Sequence, residues 1–204
     1  MKRKPERSAG PARAGRVRIQ SGRWKGRALP VPGSARPTSG RARAGLFSSL
    51  GERVQGASVL DLYAGSGAVG LEAVSRGAAR AVLVEAEPEA ETLLRELLAR
   101  WKVPEDEVRV LREPAARALS RLLASHERFD VVFADPPYAH GGSGRMDELA
   151  GVAGVLAEGG VVVVQTDARS AEPGLPGLAS AGRREYGRNV FHFLTFFDAT
   201  ARKC

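Results

Sequence analysis

The chain has 204 residues, 43% of them apolar and 26% charged, with a net charge of +8, a composition suited to one globular domain with a sizeable core and a small appendage. No apolar run approaches the roughly 18 to 20 residues needed to span a bilayer, and the charged N-terminus lacks the apolar stretch of a signal peptide, which predicts a cytoplasmic protein. The single cysteine, Cys204, excludes an internal disulfide and a cysteine-built zinc site, and with His126, His140 and His192 scattered along the chain no metal is expected.

The charge is unevenly placed. Residues 1–43 carry 13 Lys and Arg against one acidic residue, Glu6, a net of +12, whereas the rest of the chain nets −4. A basic arm on a mildly acidic body suits a protein that holds a phosphate backbone at one end and does its chemistry at the other. Residues 1–15, rich in Lys, Arg, Pro, Gly and Ala, read as a disordered basic tail, which either touches that backbone or only aids solubility. From Val17 the pattern changes: VRIQSGRWKGRALPVP alternates apolar and basic residues around Ser21-Gly22. This predicts a hairpin whose exposed face carries Arg18, Arg23, Lys25 and Arg27. An isolated hairpin is marginal in water, so Trp24 is expected to anchor it to the body rather than to stack on a base.

Arg36-Pro37 is extended before Thr38 or Ser39, either of which can cap a helix to about Leu50. Leu46, Phe47 and Leu50 fall at core spacing, and Arg41 and Arg43 in the first turns join Arg36 as a second nucleic-acid-facing group. These residues, 16–50, form an N-terminal extension to a main domain over 51–204.

After Gly56 an α/β rhythm begins. Strands are expected at 58–63, 81–85, 108–111, 129–134 and 161–164, and helices at 68–76, 88–101, 115–124 and about 146–156. Strands apolar throughout and separated by helices predict a parallel sheet covered on both faces. Arg183–Gly187 and Val190–Phe197, joined by a short link, predict an antiparallel pair that closes the sheet edge.

Ligands of such a sheet lie beyond the carboxyl ends of its strands, where the strand order reverses. Three segments should converge there. The first strand ends in Asp61, followed by Gly65, Gly67 and Gly70 at G-x-G-x-x-G spacing, which brings bare backbone close to a ligand. Dinucleotide-binding strands are usually apolar where Asp61 stands, and its carboxylate suits an ammonium or amino group. Glu85 ends its strand twenty residues after Gly65 and can accept from both hydroxyls of a ribose. Asp135-Pro136-Pro137-Tyr138 directly after a strand offers a carboxylate, a carbonyl fixed by proline and an aromatic ring. Together they grip a planar heterocycle bearing an exocyclic amine. The His140–Gly144 loop, with three glycines, either closes over it or is idle.

Taken together, VLDLYAGSGAVGLEAVSRGA, FADPPY and RPTSGRARAGLFSSL resemble the bacterial small-subunit ribosomal-RNA guanine-N2 methyltransferases, from about Val17 to Phe197. The resemblance implies a Rossmann-like seven-stranded S-adenosylmethionine methyltransferase sheet with helices on both faces, a small N-terminal RNA-binding hairpin, and 16S rRNA, the small ribosomal subunit or an assembly intermediate as partner; a monomer is the default expectation. It puts Ala64, Gly65, Ser66 and Gly67 around the methionine portion of the cofactor, Asp61 near its amino group, Glu85 and Ala86 at the ribose, and Asp135, Pro136, Pro137 and Tyr138 on an extruded guanine. Three positions depart from the family pattern. Ala44 stands where a Glu is usual, Ser48 where an Asn is usual, and Pro114 where a polar residue contacts the adenine, leaving Glu113 or a backbone group for that contact. Two other functions share parts of the pattern: adenine-N6 methylation of nucleic acid through D-P-P-Y, and nucleotide or redox-cofactor binding through the glycine turn alone.

Overall fold

A computed structural model describes residues 17–33, 38–137 and 146–197. The basic tail, Arg36, Tyr138 and the glycine loop after it lie outside the described residues. Among those described, no helix is long and apolar enough to cross a membrane.

The strands and helices alternate in chain order: β1 Val17–Arg18, β2 Ala28–Leu29, α1 Gly40–Leu50, β3 Ser58–Asp61, α2 Ala68–Ser75, β4 Arg80–Val84, α3 Pro88–Trp101, β5 Val108–Leu111, α4 Ala115–Ala124, β6 Phe129–Ala134, β7 Leu156–Asp167, β8 Leu178–Tyr186 and β9 Asn189–Phe196. The seven-stranded sheet runs β5-β4-β3-β6-β7-β9-β8. Its first five strands are parallel, and β9 and β8 close the edge antiparallel. The order reverses between β3 and β6, so the carboxyl ends of these two neighbours, Asp61 and Asp135, stand side by side.

Both faces of the sheet are covered because side chains alternate along each strand. Val59, Ala81, Val131, Val161 and Val163 face a core shared with α1, α2, α3 and the N-terminal segment. Leu60, Val82, Val132, Val162 and Val164 face a second core with α4. Every residue of α2 is buried, which a helix achieves only when covered all round. The cover on its outer side is α1 and residues 17–33.

Two expected elements differ. The helix expected over 146–156 is replaced by two short 3₁₀ turns, Met146–Leu149 and Val152–Val155, and β7 already begins at Leu156. Gly151 and Gly154 each weaken a helix by about 1 kcal/mol, and a side chain at Gly154 would press on Leu123 of α4. The N-terminal hairpin pairs over only two residues per strand, with residues 19–27 as a wide loop. Burial of Trp24 causes this widening. The loop turns inward to set that ring 5.2 Å from Trp101 in the core.

The loop docks on the end of α2. Arg23 N–H donates to Ser75 O (2.9 Å), Trp24 N–H to Ser75 Oγ (2.9 Å), and the Ser75 hydroxyl to Ser21 O (2.6 Å). Gly22 makes the approach possible, because a Cβ there would lie 1.6 Å from Ser75 O.

Candidate active site

The glycine turn is built between two carboxylates. Gly67 caps α2 in the left-handed region (φ 72°) and offers no side-chain oxygen to the orphan amides of the first turn. Asp61 supplies that oxygen from the neighbouring strand, its Oδ2 accepting from Gly70 N–H at 3.0 Å. The third glycine permits this contact, since a Cβ on Gly70 would meet Leu83 at 2.2 Å. On the other side, Glu85 Oε2 accepts from Gly65 N–H at 2.7 Å, and its Oε1 from Glu87 N–H at 2.8 Å. The turn is held from both ends before any ligand arrives. A Cβ on Gly65 would meet nothing within 4 Å, so its bare backbone fronts open space. Ala64 and Ser66 are buried beneath, and Ala86 is exposed beside Glu85.

Asp61 keeps an unanswered group. Its Oδ1 is buried without a hydrogen-bond partner. Burial, opposed by the amides of Gly70 and Tyr63 and reinforced by the charge of Glu85, lifts the carboxyl to about 7. A cation arriving at Oδ1 would satisfy it.

Asp135 carries a network that sequence reasoning missed. Its Oδ2 accepts from Gln165 Nε2 at 2.9 Å and lies 3.5 Å from Thr38 Oγ1. The Thr38 hydroxyl sits nearer to Gln165 Oε1, at 3.1 Å, and Gln165 Nε2 also reaches Asn189 Oδ1 at 3.2 Å. Three other segments of the chain, through Thr38, Gln165 and Asn189, thereby orient one carboxylate, and the contacts to it fall on Oδ2. Burial and the nearby Asp61 charge raise Asp135 to about 7, against the Thr38 contact that lowers it. Pro136 is buried behind it and Pro137 exposed. Tyr138 lies outside the described residues.

The capping residue of α1 is Ser39, which accepts from Ala42 N–H at 3.2 Å, and this leaves Thr38 to face Asp135. Gln165 follows four valines, where the expected strand stops. The strand instead continues to Asp167 because β9 pairs with it through Gln165↔Phe191 and Asp167↔Asn189.

At the expected adenine position, Pro114 caps α4. Glu113 beside it is largely covered and ion-paired with Arg121 (2.8 Å) and Arg117 (3.6 Å). Its carboxylate is thus turned along α4.

The basic residues divide. Lys25 and Arg41 are exposed, Arg18 donates to Gly26 O at 2.6 Å, Arg23 pairs with Glu107 and lies over Trp24, and Arg27 lies over Trp101. Much of the hairpin's charge therefore also fastens it to the body. Arg43 is a correction. Expected on the RNA-facing side, it is 1% exposed. Its guanidinium stands 3.6 Å from Glu72 and donates to Arg18 O at 2.6 Å, because Glu72 is fully buried on α2 and requires a cation. Among the described residues no group of three or more His, Cys, Asp or Glu is placed to hold a metal ion.

Known proteins resemble this chain in sequence and fold. The family model described as conserved hypothetical protein 95 matches residues 17–195. Ribosomal RNA small subunit methyltransferase D of Escherichia coli K12 is 36% identical over 183 residues, covering 89% of this chain and 90% of the relative. The protein of the same name from Haemophilus influenzae is 35% identical over 130 residues, covering 63% of this chain and 67% of the relative. A solved structure of a hypothetical protein from Thermus thermophilus superposes with a TM-score of 0.74 at 40% identity, covering 87% of this chain and 98% of that one.

Proposed function

The chain belongs to the conserved hypothetical protein 95 family, that of the small-subunit ribosomal RNA methyltransferase D proteins, and from this premise we propose that it transfers a methyl group from S-adenosylmethionine to the exocyclic N2 of a guanine in 16S rRNA, in the cytoplasm. The observation that carries the reading is the pairing, at one switch point, of an unanswered buried carboxylate beside an open glycine turn with a second carboxylate directly before two prolines.

The residues fit the cofactor. The lone Oδ1 of Asp61 suits its ammonium, the open backbone at Gly65 suits close approach, and Glu85 lies where ribose hydroxyls can donate to lone pairs left after its two amide bonds. When bound, S-adenosylmethionine supplies a methyl group already activated on a sulfonium.

The chain's own work is placement. The target amine must sit about 3 to 3.5 Å from the methyl carbon and in line with it. Asp135 accepts an amine hydrogen through Oδ1, its Oδ2 being engaged by Gln165, and the carbonyl of Pro136 accepts the other. Accepting both draws the nitrogen lone pair out of conjugation, and the carboxylate stabilises the positive charge that develops as the carbon–nitrogen bond forms and the carbon–sulfur bond breaks. The surplus amine proton leaves to Asp135 or to solvent, and the neutral thioether departs. The base must leave its stack, at a cost of a few kcal/mol that stacking on Tyr138 partly offsets.

The test is methyl transfer to small-subunit rRNA fragments with the product base identified by mass spectrometry. N2-methylguanine is expected; N6-methyladenine, or no transfer together with tight NAD binding, would overturn the reading. Asp135→Ala should abolish transfer while leaving S-adenosylhomocysteine affinity within about tenfold, since the glycine turn is held by Asp61 and Glu85.

A further inference from the structure

The catalytic carboxylate is connected to an open groove on the far side of its network. The groove, about 550 Å³, lies between the start of α1 and the β8–β9 turn, and its walls include Ser39, Arg41, Tyr186, Arg188 and Asn189. Two lining residues connect it to the site: Ser39 adjoins Thr38 in sequence, and Asn189 is joined through Gln165 to Asp135.

The groove is rigid and positive. Tyr186 packs its ring where a Cβ on Gly45 would stand, 2.2 Å away, and donates its hydroxyl to Gly45 O at 3.2 Å, which locks the turn to α1. The one acid of the lining, Glu185, is neutralised by Arg183 at 2.6 Å. Arg41 and Arg188 are exposed, and neither guanidinium is engaged by a described residue. Two exposed cations on one polar channel suit the phosphate backbone of an extended strand.

Resting on the function proposed above, we propose that this groove seats the single-stranded RNA backbone next to the extruded guanine, with Arg188 from the C-terminal hairpin and Arg41 from α1 as its phosphate clamps and Asn189 marking where the target nucleotide turns toward Asp135. The RNA surface thus extends beyond the N-terminal hairpin to the opposite end of the chain.

The experiment measures methyl transfer by the full chain to a small-subunit rRNA fragment across salt concentrations, for the unaltered protein, Arg188→Ala, Arg188→Lys and Arg41→Ala. Each alanine variant should raise KM for RNA about three- to tenfold and reduce the salt slope of kcat/KM by about one. The KM for S-adenosylmethionine and the thermal midpoint should stay unchanged, and Arg188→Lys should keep most of the affinity. Unchanged RNA KM and salt slope in both alanine variants would overturn the groove while leaving the enzyme's reading intact. No transfer by the unaltered protein would overturn that reading, and the groove with it.

Discussion

Asp61 ends β3 and Asp135 directly follows the adjacent parallel strand β6, and the charge of the first raises the proton affinity of the second. Each carboxyl is lifted to about 7, chiefly by burial. Both must ionise for the proposed chemistry, one to receive a cation and the other to accept amine hydrogens. The pH dependence of kcat/KM for the methyl donor, which reports the free protein, is therefore expected to have an acid limb near pH 7, belonging to the pair rather than to either residue. Asp61→Asn removes the neighbouring charge, so the remaining limb should move to lower pH, with a raised KM for the donor. A limb that stays in place would show that the two groups do not interact.

The same lifts set a stability trend. In the native state these carboxyls hold protons that the unfolded chain, titrating near 3.8, has already released. Their contribution is complete below that value and is lost as pH rises through about 7. Without ligand, the protein should melt at progressively lower temperature between pH 5 and pH 8. Asp61→Asn, whose amide oxygen still accepts from Gly70 N–H, should flatten this slope and raise the melting temperature at pH 8 by roughly 4 °C, corresponding to at least about 1 kcal/mol for a chain of this size. S-adenosylhomocysteine carries an ammonium and should stabilise more at pH 8 than at pH 5. Equal slopes for variant and parent would refute the assignment.

Gln165 fixes which oxygen of Asp135 is free. Gln165→Leu should lower kcat about 10- to 100-fold with little change in KM for S-adenosylmethionine, the pattern for loss of an interaction realised at the reacting centre. A fold defect alone would not predict the companion result. Gln165→Glu places a like charge on Asp135 and should move the acid limb of the pH profile to higher pH. If kcat is unaffected by the leucine substitution, Asp135 is oriented by other groups.

The parts of the site legible in the sequence share one property: they are contiguous. The strand ending in Asp61, the glycine turn and the proline pair after Asp135 each carry a local backbone signal, and the alternation of strands and helices put them at one edge. Thr38, Gln165 and Asn189 carry none. Thr38 stands among capping residues, Gln165 ends a run of valines and Asn189 belongs to a tight turn, and only the pairing of β7 with β9 brings the last two together. Arg43 fails for the same reason. Its helix was predictable from capping and spacing, but its orientation depends on Glu72 of α2, a partner distant in sequence and buried by the same packing.

Arg43 and Arg41, two residues apart on α1, separate a structural arginine from an exposed one. Glu72 is fully buried and answers Gln20 N–H at 2.7 Å, Arg76 at 2.9 Å and Arg43 at 3.6 Å. Arg43→Met removes a buried cation and the donor to Arg18 O, leaving the carboxylate under-compensated. With Arg76 and Gln20 still answering Glu72, the loss is expected at roughly 1 to 3 kcal/mol, seen as a lower urea midpoint. Because Glu72 and Ser75 on α2 hold the N-terminal loop, residues 17–33 should also become more sensitive to protease. Adding Glu72→Gln removes the stranded charge and should restore part of the lost stability. Arg41→Ala, two residues earlier and exposed, should leave the midpoint within about 0.5 kcal/mol. If Arg43→Met shifts the midpoint no more than Arg41→Ala while weakening RNA binding, Arg43 belongs to the nucleic-acid surface after all.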